Sequence, residues 1–214
     1  LSSAFKLVQQ EASNETLVYA NADILLFQDL VEAVNLVNKD SFLLCGGRWD
    51  FDVEVLIDFE DNYWDTFLLE KVRAEGSRHG PAGIDYFVFP RNTVELPLFS
   101  VGRPGWDSWL IYNMRMRRVP VIDASEAVTV VHQNHDFSHS RFGQKKRVGG
   151  PERAENIRIA GGLTNMLTLR DADWVVTNTG IAKRPFPGRI WSELALFYPW
   201  RVALAVKRKL RMLF

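Results

Sequence analysis

The chain contains a single cysteine among its 214 residues, so it has no internal disulfide and no zinc site built on cysteines. Cys45 lies in the apolar run Phe42-Leu-Leu-Cys-Gly46, where we predict a buried, unreactive thiol. The sequence has no apolar run of the roughly 18 residues that a membrane span needs, and it predicts no signal peptide. These absences are compatible with a cytoplasmic location.

An excess of charge of either sign is also missing. The 26 basic and 26 acidic side chains cancel, which gives no support for a nucleic-acid binder that tracks phosphates with a basic face. The sequence has no internal repeat and no low-complexity segment. Apolar residues make up 47% of the chain and aromatic residues 12%, which is typical of a globular protein.

Helical and extended patterns alternate along the chain, which favours a layered α/β domain with a mainly parallel sheet. The patterns predict helices over residues 3–13, 29–38, 64–74, 107–118 and 154–170. They predict strands over residues 17–26, 41–45, 52–59, 84–90, 120–123, 127–132 and 171–178. Asp29 is expected to cap the second helix.

The composition changes after His132, and we divide the chain into a domain over residues 1–150 and a helical extension over 151–214. The last stretch, residues 200–214, is a candidate basic amphipathic helix. It either packs on the domain with a solvated basic face or makes peripheral contact with an anionic membrane surface.

The most informative segment is Leu17-Val-Tyr-Ala-Asn-Ala-Asp-Ile-Leu-Leu26, in which Asn21 and Asp23 interrupt an apolar strand. Residues two apart on a strand project to the same side. A polar pair on a buried strand costs several kcal/mol unless it is satisfied. A divalent cation with a phosphate would satisfy it; the alternative is an Asp at a strand end that caps the next element. Because apolar residues follow Asp23, we expect a crossing between elements rather than a strand tip.

A second candidate is Gly102-Arg-Pro-Gly-Trp-Asp107, a turn that leads into a helix. Asp107 is either the helix N-cap or a carboxylate at the mouth of a pocket, where it would act as general base towards a hydroxyl. Trp106 and Trp109 on either side would offer flat faces to a sugar.

A third candidate is the histidine cluster of Val130-Val-His-Gln-Asn-His135, which continues to Asp136 and His139. It suits a metal site, although a polar loop with ordinary hydrogen bonds is the alternative. Basic residues follow at 141–147, and they either form a solvated loop or clamp a diphosphate, with Lys145 as the candidate for that contact. Arg48, after the pair Gly46-Gly47, is a further candidate.

The order of these segments resembles the C-terminal part of GT-A-fold glycosyltransferases, particularly family-2-like members. The resemblance rests on Tyr19-Ala-Asn-Ala-Asp-Ile-Leu-Leu26, Gly47-Arg48, Gly83-Ile-Asp-Tyr-Phe-Val-Phe89, Gly105-Trp-Asp107 and His132-Gln-Asn-His135. It covers about residues 5–140. It implies a partial GT-A-like layered α/β/α domain with a mixed, mainly parallel sheet and a C-terminal helical tail. It also implies that the family's nucleotide-base-binding strands precede this chain.

The resemblance assigns roles to the candidate residues. Asn21-Ala22-Asp23 stands where the family has Asp-x-Asp, so Asp23 would bind Mn²⁺ or Mg²⁺ with His132 or His135. Asn21, Asp23, Arg48 and Lys145 would contact a nucleotide-diphospho-sugar donor. Asp85, Trp106 and Trp109 would contact a glycan, lipid-linked or small-molecule acceptor. Asp107 would be the base of an inverting transfer.

Two other functions stay open at this point. An inactive or glycan-binding relative of the same fold is favoured by Asn21, which replaces the first carboxylate. A metal-dependent hydrolase or nucleotidyltransferase would use the histidine cluster, with His139 as a third imidazole ligand.

Overall fold

A computed structural model describes residues 1–135 and 150–197. Lys145, Asp136 and His139 lie outside the described residues, as does the predicted basic helix over residues 200–214. The predictions made for them are therefore not addressed by the structure.

Six α-helices and ten strands form the described part. The helices are α1 (Ser2–Glu11), α2 (Gln28–Asn35), α3 (Trp64–Glu75), α4 (Trp106–Met116), α5 (Pro151–Ile159) and α6 (Gly188–Leu194). The first strands are β1 (Thr16–Ala20), β2 (Ile24–Leu26), β3 (Leu43–Cys45), β4 (Trp49–Phe51) and β5 (Ser77–Arg78). They are followed by β6 (Tyr86–Pro90), β7 (Val121–Asp123), β8 (Val130–Gln133), β9 (Trp174–Thr177) and β10 (Gly180–Lys183). Two short 3₁₀ helices cover Leu163–Asn165 and Leu169–Asp171.

The strands form two sheets. The large sheet has six strands in the order β1-β6-β3-β7-β9-β10, and the small sheet has four in the order β2-β8-β4-β5. Among the described strands, three pairings are parallel and five are antiparallel. The α/β class and the mixed sheet are confirmed, but the prediction of a mainly parallel sheet is wrong. The antiparallel pairing of β9 with β10 joins two strands that follow each other directly in the sequence, so it needs no helical crossover.

The central strands of the large sheet are buried on both faces. Leu43 and Cys45 of β3 point into a core with α1 and α4, whereas Leu44 points into a second core with α2. Strand β6 repeats this division, because successive side chains point to opposite faces. A third, smaller core lies between α3 and the small sheet, where Leu68 and Val72 pack against Phe51 and Val131.

Cys45 is fully buried, as predicted. Burial raises the pKa of its thiol well above the usual range. The thiol is therefore not a nucleophile in this fold.

The predicted strand over residues 17–26 is in fact two strands in different sheets. β1 belongs to the large sheet and β2 to the small one. Between them, Ile24 N donates to the carbonyl of Asn21 at 3.3 Å in a turn of the kind that Asn and Asp favour. The expectation of a crossing between elements is confirmed, but Asn21 and Asp23 are not neighbours on one strand face.

The prediction of a strand over residues 52–59 is wrong. This segment has no strand partner among the described residues and consists of bends and turns. Asp58 Oδ1 accepts from Glu60 N at 3.1 Å, and Asp61 Oδ1 accepts from Tyr63 N at 2.9 Å, so carboxylates tie the backbone locally. Alternation of acidic and apolar residues mimicked a half-buried strand.

Three further predictions need correction. Asp29 does not cap α2: the N-cap position is Phe27, and the Asp29 carboxylate accepts from Thr129 N at 2.7 Å instead. The helix predicted over residues 154–170 ends at Ile159, where Gly161 and Gly162 adopt positive φ angles of 77° and 105°. The short strand or extended segment predicted over residues 171–178 is confirmed as β9, but it covers only Trp174–Thr177, because Asp171 ends a 3₁₀ helix.

The described part of the C-terminal extension is integrated with the rest of the fold. β9 pairs with β7 in the large sheet. Leu167, Leu169 and Ala172 lie in the same core as α1 and α4. Within residues 1–135 and 150–197, no helix is both long enough and apolar enough to cross a bilayer.

Candidate functional site

The candidate site lies where the chain crosses between the two sheets. The segment from β1 to β2 and the segment from β3 to β4 both leave the large sheet for the small one. Asn21 and Asp23 lie on the first crossing, and Arg48 ends the second. Residue Asp85 precedes β6, which returns to the large sheet. The arrangement of the two sheets thus brings together Asn21 and Asp85, which are 64 positions apart in the sequence.

Strand register places Asn21 beside Asp85. Ala20 of β1 opposes Tyr86 of β6, and in the next position Asn21 N donates to the carbonyl of Asp85 at 2.9 Å. The Asn21 amide also donates to Asp85 Oδ1 at 2.6 Å, and its Oδ1 accepts from the Tyr19 hydroxyl at 2.9 Å. An aspartate at position 21 would set two carboxylates in direct contact. The structure therefore gives a physical reason for Asn where the resemblance led us to expect Asp.

Register in the small sheet places His132 between two aspartates. His132 of β8 opposes Ile24 of β2 on one side and Asp50 of β4 on the other. Its Nε2 lies 3.4 Å from Asp23 Oδ2, and its Nδ1 lies 3.3 Å from Asp50 Oδ1. His135, just beyond β8, brings its Nε2 to 3.3 Å from the same Asp23 oxygen.

Asp23, His132 and His135 form a group that can hold a metal ion. Their ligand atoms all lie within 4.8 Å of one another. Asp23 Oδ1 is buried and has no hydrogen-bond partner among the described residues, so the carboxylate has an unused acceptor. Two imidazoles and one carboxylate suit Mn²⁺, Zn²⁺ or Fe²⁺, whereas Mg²⁺ prefers oxygen ligands. Of the two cations expected, the residues therefore fit Mn²⁺ better than Mg²⁺.

A polar network surrounds the metal-ligand group. The Arg48 guanidinium donates from Nε to Asp50 Oδ1 at 2.9 Å and from a terminal nitrogen to Asp85 Oδ2. His79 Nδ1 lies 2.6 Å from Asp50 Oδ2. At that distance the tautomer with hydrogen on Nδ1 is favoured, so His79 donates to Asp50. Hydrogen bonds connect the network from Tyr19 through Asn21, Asp85, Arg48 and Asp50 to His79. His132 Nδ1 lies 3.3 Å from Asp50 Oδ1 but makes no hydrogen bond among the described residues.

The network shifts the protonation of two of its members. Burial and the nearby Arg48 charge lower the pKa of His132, although Asp23, Asp85 and Asp50 act in the opposite direction. His132 is therefore neutral at pH 7, the form that binds metals. Burial raises the pKa of Asp50, but hydrogen bonds and charges from His79 and Arg48 outweigh it, and the net shift is downward.

Asp107 lies in the first turn of α4 and is not its N-cap, which is Gly105. Gly105 has φ of 120°, a conformation that favours glycine. The amides of Gly105 and Ser108 donate to Asp107 Oδ1 at 3.1 and 2.8 Å. Burial nevertheless raises the pKa of Asp107 to about 6, and the charge of Asp85 adds to the rise. The charges of Asp85, Asp107 and Asp23 also help burial to raise the pKa of Tyr19, which places Asp107 within electrostatic reach of the site.

The two tryptophans beside Asp107 differ. Trp106 is only 6% exposed, and its ring packs against Tyr19, Phe5 and Phe87 at centroid distances of 5.1, 6.2 and 5.4 Å. It is a core residue, so its predicted stacking on an acceptor is wrong. Trp109 is partly buried against Phe99, with the ring centroids 5.2 Å apart. Its predicted role stays a prediction.

An open cleft of about 1130 Å³ lies in front of the metal-ligand group. Asn21, Asp23, Gln133 and His135 line one part of it, and apolar side chains of residues 53–59 line another. Val101, Gly102 and Arg103, on the loop before α4, complete the lining. The cleft is large enough for a small-molecule substrate.

Three members of the site, Asp50, His79 and Tyr19, were assigned no role from the sequence. Tyr19 entered only as the first residue of the segment that ends at Leu26, and all three are identified by their contacts with predicted site residues. The parallel pairing of β4 with β8, which sets Asp50 against His132, has no signature in the sequence of either strand.

Comparison of the chain with known protein families, with curated proteins and with solved structures finds no match. The function must therefore be argued from the site itself.

Proposed function

We propose that the chain carries the metal- and acceptor-binding part of a glycosyltransferase that moves a sugar from a nucleotide diphosphate to an acceptor hydroxyl. The observation that supports this best is the group of Asp23, His132 and His135 at the crossing between the sheets. The group opens onto a cleft lined by Asn21, Asp23 and His135. A bound Mn²⁺ would offset negative charge on the leaving diphosphate.

Arg48 has a different role in this proposal from the one that the resemblance implied. Its Nε donates to Asp50, one terminal nitrogen donates to Asp85, and the other lies 3.4 Å from His79 Nδ1. Because Nε and one terminal nitrogen donate to Asp50 and Asp85, Arg48 positions these two carboxylates in this proposal. Asn21 is similarly engaged with Tyr19 and Asp85, and it contributes to the cleft wall.

Asp107 is the proposed general base because of the resemblance and its raised pKa; its side chain is not part of the cleft lining described above. It would accept the proton of the acceptor hydroxyl while the acceptor oxygen bonds to the anomeric carbon and the bond from that carbon to the diphosphate breaks. A carboxylate with a pKa of about 6 is largely ionised at pH 7, yet it is basic enough to receive a proton. Attack from the face opposite the leaving group inverts the anomeric centre.

A metal-dependent hydrolase is the second candidate, favoured by the same donor set. Two histidines and one carboxylate also occur in zinc hydrolases, where the metal keeps an open position for water. The two candidates differ in the metal preferred and in whether metal binding depends on a diphosphate. A glycan-binding relative without activity would bind neither Mn²⁺ nor Zn²⁺ strongly.

Mn²⁺ titration of the whole chain, followed by electron paramagnetic resonance, tests the proposal. With inorganic diphosphate as probe, we expect Mn²⁺ binding to tighten several-fold. We expect Asp23→Asn to weaken that binding about a hundredfold, because the variant loses the only charged ligand of the group. Asp40→Asn, at an exposed position, is the matched control and should bind like the wild type.

Two results would contradict the transferase proposal. One is tight Zn²⁺ binding that ignores diphosphate, accompanied by hydrolysis of phosphoesters, which would favour the hydrolase. The other is Mn²⁺ binding that survives Asp23→Asn, which would place the metal elsewhere.

A further inference from the structure

The cleft in front of the metal-ligand group is divided by polarity. Its polar part holds Asn21, Asp23 and His135, and its apolar part is formed by residues 53–59 with Val101 opposite. We call the apolar part, with its side chains Val53, Val55, Leu56, Ile57 and Phe59, the apolar wall. Both parts line one continuous cavity, so a single ligand can contact both.

Several side chains of the apolar wall are exposed to an unusual degree. Leu56 is fully exposed, at 101%, and Val55 and Phe59 are 64% and 59% exposed. On the opposite side Val101 is 62% exposed. Exposed apolar patches of this kind mark sites of ligand, protein or membrane contact.

We propose that the acceptor is amphipathic, with a hydroxyl-bearing head at the polar part of the cleft and an alkyl or isoprenoid chain along the apolar wall. This inference rests on the proposed function and names the acceptor class. The sugar and the diphosphate of the donor do not explain the wall, because both are polar or charged. A macromolecular partner seated on the wall would cover the cleft and its metal ligands, which a transferase must keep open.

The geometry of the loop supports a chain-binding role. Carboxylates of Asp58 and Asp61 accept from Glu60 N and Tyr63 N in the turns that follow Ile57, so the segment is tied down just after the apolar wall. Behind the loop, Val53 N donates to Gln133 Oε1 at 2.8 Å. Gln133 also lines the polar part, so the wall is fixed to the strand that carries His132.

Binding of alkyl glucosides of different chain length to the whole chain tests this inference. The probes are methyl and n-octyl β-D-glucoside, both kept below the micelle concentration and measured by isothermal titration calorimetry. We expect the octyl compound to bind about tenfold or more tightly than the methyl compound, because its chain is removed from water. Leu56→Ser should reduce that ratio several-fold without affecting the fold, since the side chain is fully exposed.

Leu98→Ser is the matched control. Leu98 is 80% exposed but does not line the cleft, so its substitution should leave the ratio unchanged. Equal binding of the two glucosides, or the same loss in both variants, would overturn the inference. So would pelleting with neutral phosphatidylcholine vesicles that is lost in Leu56→Ser, because this would assign the wall to a membrane surface.

The outcome is separable from that of the proposed function. If Mn²⁺ binding responds to diphosphate and to Asp23→Asn but the alkyl chain length of the glucoside has no effect on binding, only the amphipathic acceptor is excluded. If glucoside binding depends on alkyl chain length but Mn²⁺ binding responds neither to diphosphate nor to Asp23→Asn, the apolar wall is a binding site in a protein that is not this transferase.

Discussion

Two arginines in this molecule are surrounded by carboxylates, but they differ in what else those carboxylates contact. Arg115 of α4 is buried, and it lies 2.7 Å from Asp173 and 3.3 Å from Glu193. Asp173 also accepts from Val121 N and lies 3.2 Å from Lys183. These partners belong to α6 or lie at the ends of β7, β9 and β10, so the network joins elements of the fold.

Arg48 has a side chain that is 12% exposed, and its two carboxylate partners reach further groups. Asp50 contacts His79 and His132, and Asp85 contacts Asn21. The Arg115 network connects only elements of the fold. The Arg48 network, in contrast, reaches the metal-ligand group beside an open cleft. A structural ion pair is distinguished from one that supports a site by what the carboxylate partners of the arginine contact, more than by how buried the arginine is.

The largest expected effect is on stability, for Arg115→Met. The substitution leaves Asp173 buried with a reduced set of partners, and we expect a loss of about 3–5 kcal/mol in the free energy of unfolding. Urea denaturation followed by circular dichroism measures it. Mn²⁺ binding by the folded fraction should be unchanged, because this network is separate from the metal-ligand group.

Two substitutions calibrate that result. Arg158→Met removes an exposed pair with Glu155 and should leave the urea midpoint unchanged. Arg48→Met should cost less stability than Arg115→Met, because the Arg48 side chain is 12% exposed and that of Arg115 only 2%. It should nevertheless weaken Mn²⁺ binding. If Arg48→Met lowered stability alone, the contrast between the two networks would be wrong.

Asp107 extends the comparison to a carboxylate with no ion pair among the described residues. Its pKa is raised from an ordinary 3.8 to about 6, so the folded state binds a proton more tightly than the unfolded chain does. Its ionisation therefore costs stability as pH rises from about 4 to about 6. Asp107→Asn removes that cost, and we expect it to stabilise the protein by about 2–3 kcal/mol above pH 6.

The pH dependence is the check on this prediction. Unfolding free energies of the wild type and Asp107→Asn should converge near pH 4, where the carboxyl is protonated in both states. Asp65→Asn, at a partly exposed position in the first turn of α3, is the control and should show no such gain. A variant that is destabilised at pH 7 would show that the charged form of Asp107 is required by the fold.

The smallest effect is expected for Asp50→Asn, which sharpens the comparison at the metal-ligand group. The variant keeps the size of the side chain but loses the charge that faces His132 Nδ1 at 3.3 Å. A negative charge close to a metal-binding histidine favours a cation on the opposite ring nitrogen, so we expect Mn²⁺ affinity to fall about tenfold when that charge is lost. Calorimetric Mn²⁺ titration measures it.

Asp52→Asn provides the matched control for that experiment. Asp52 is two residues away and exposed, and its substitution should leave the affinity unchanged. Equal affinities of Asp50→Asn and the wild type would mean that Asp50 serves only its ion pairs with Arg48 and His79.

Local patterns were sufficient for much of the secondary structure. The helix predicted over residues 64–74 is α3, and the one over 107–118 is α4 with its ends shifted by one or two residues. The apolar run at Leu43–Cys45 is a fully buried strand. Such elements are recognisable because the apolar residues that define their period are contiguous in the chain. The strand predicted over residues 52–59 failed because it lacks a partner strand, which no local pattern reports.

Within the candidate site, the sequence alone identified the residues with the most distinctive chemistry. Asp23, His132, His135 and Asp85 were singled out by type and order, and the structure brings them into one region. The sequence alone could not identify Asp50 or His79, whose positions depend on pairing between strands distant in the chain. It also misjudged Trp106, because an aromatic beside a carboxylate has the same sequence signature whether its ring is buried or exposed.

The sequence by itself determined the α/β class, the balance of charge and the short polar interruptions in otherwise apolar segments. Tertiary structure alone decided that the interruption at Asn21 and Asp23 is a crossing between two sheets. It also decided that Asp23 faces two imidazoles and that Asn21 faces Asp85. The reason is physical: side-chain type is fixed residue by residue, whereas strand register and the exposure of a ring depend on which distant segments pair and pack.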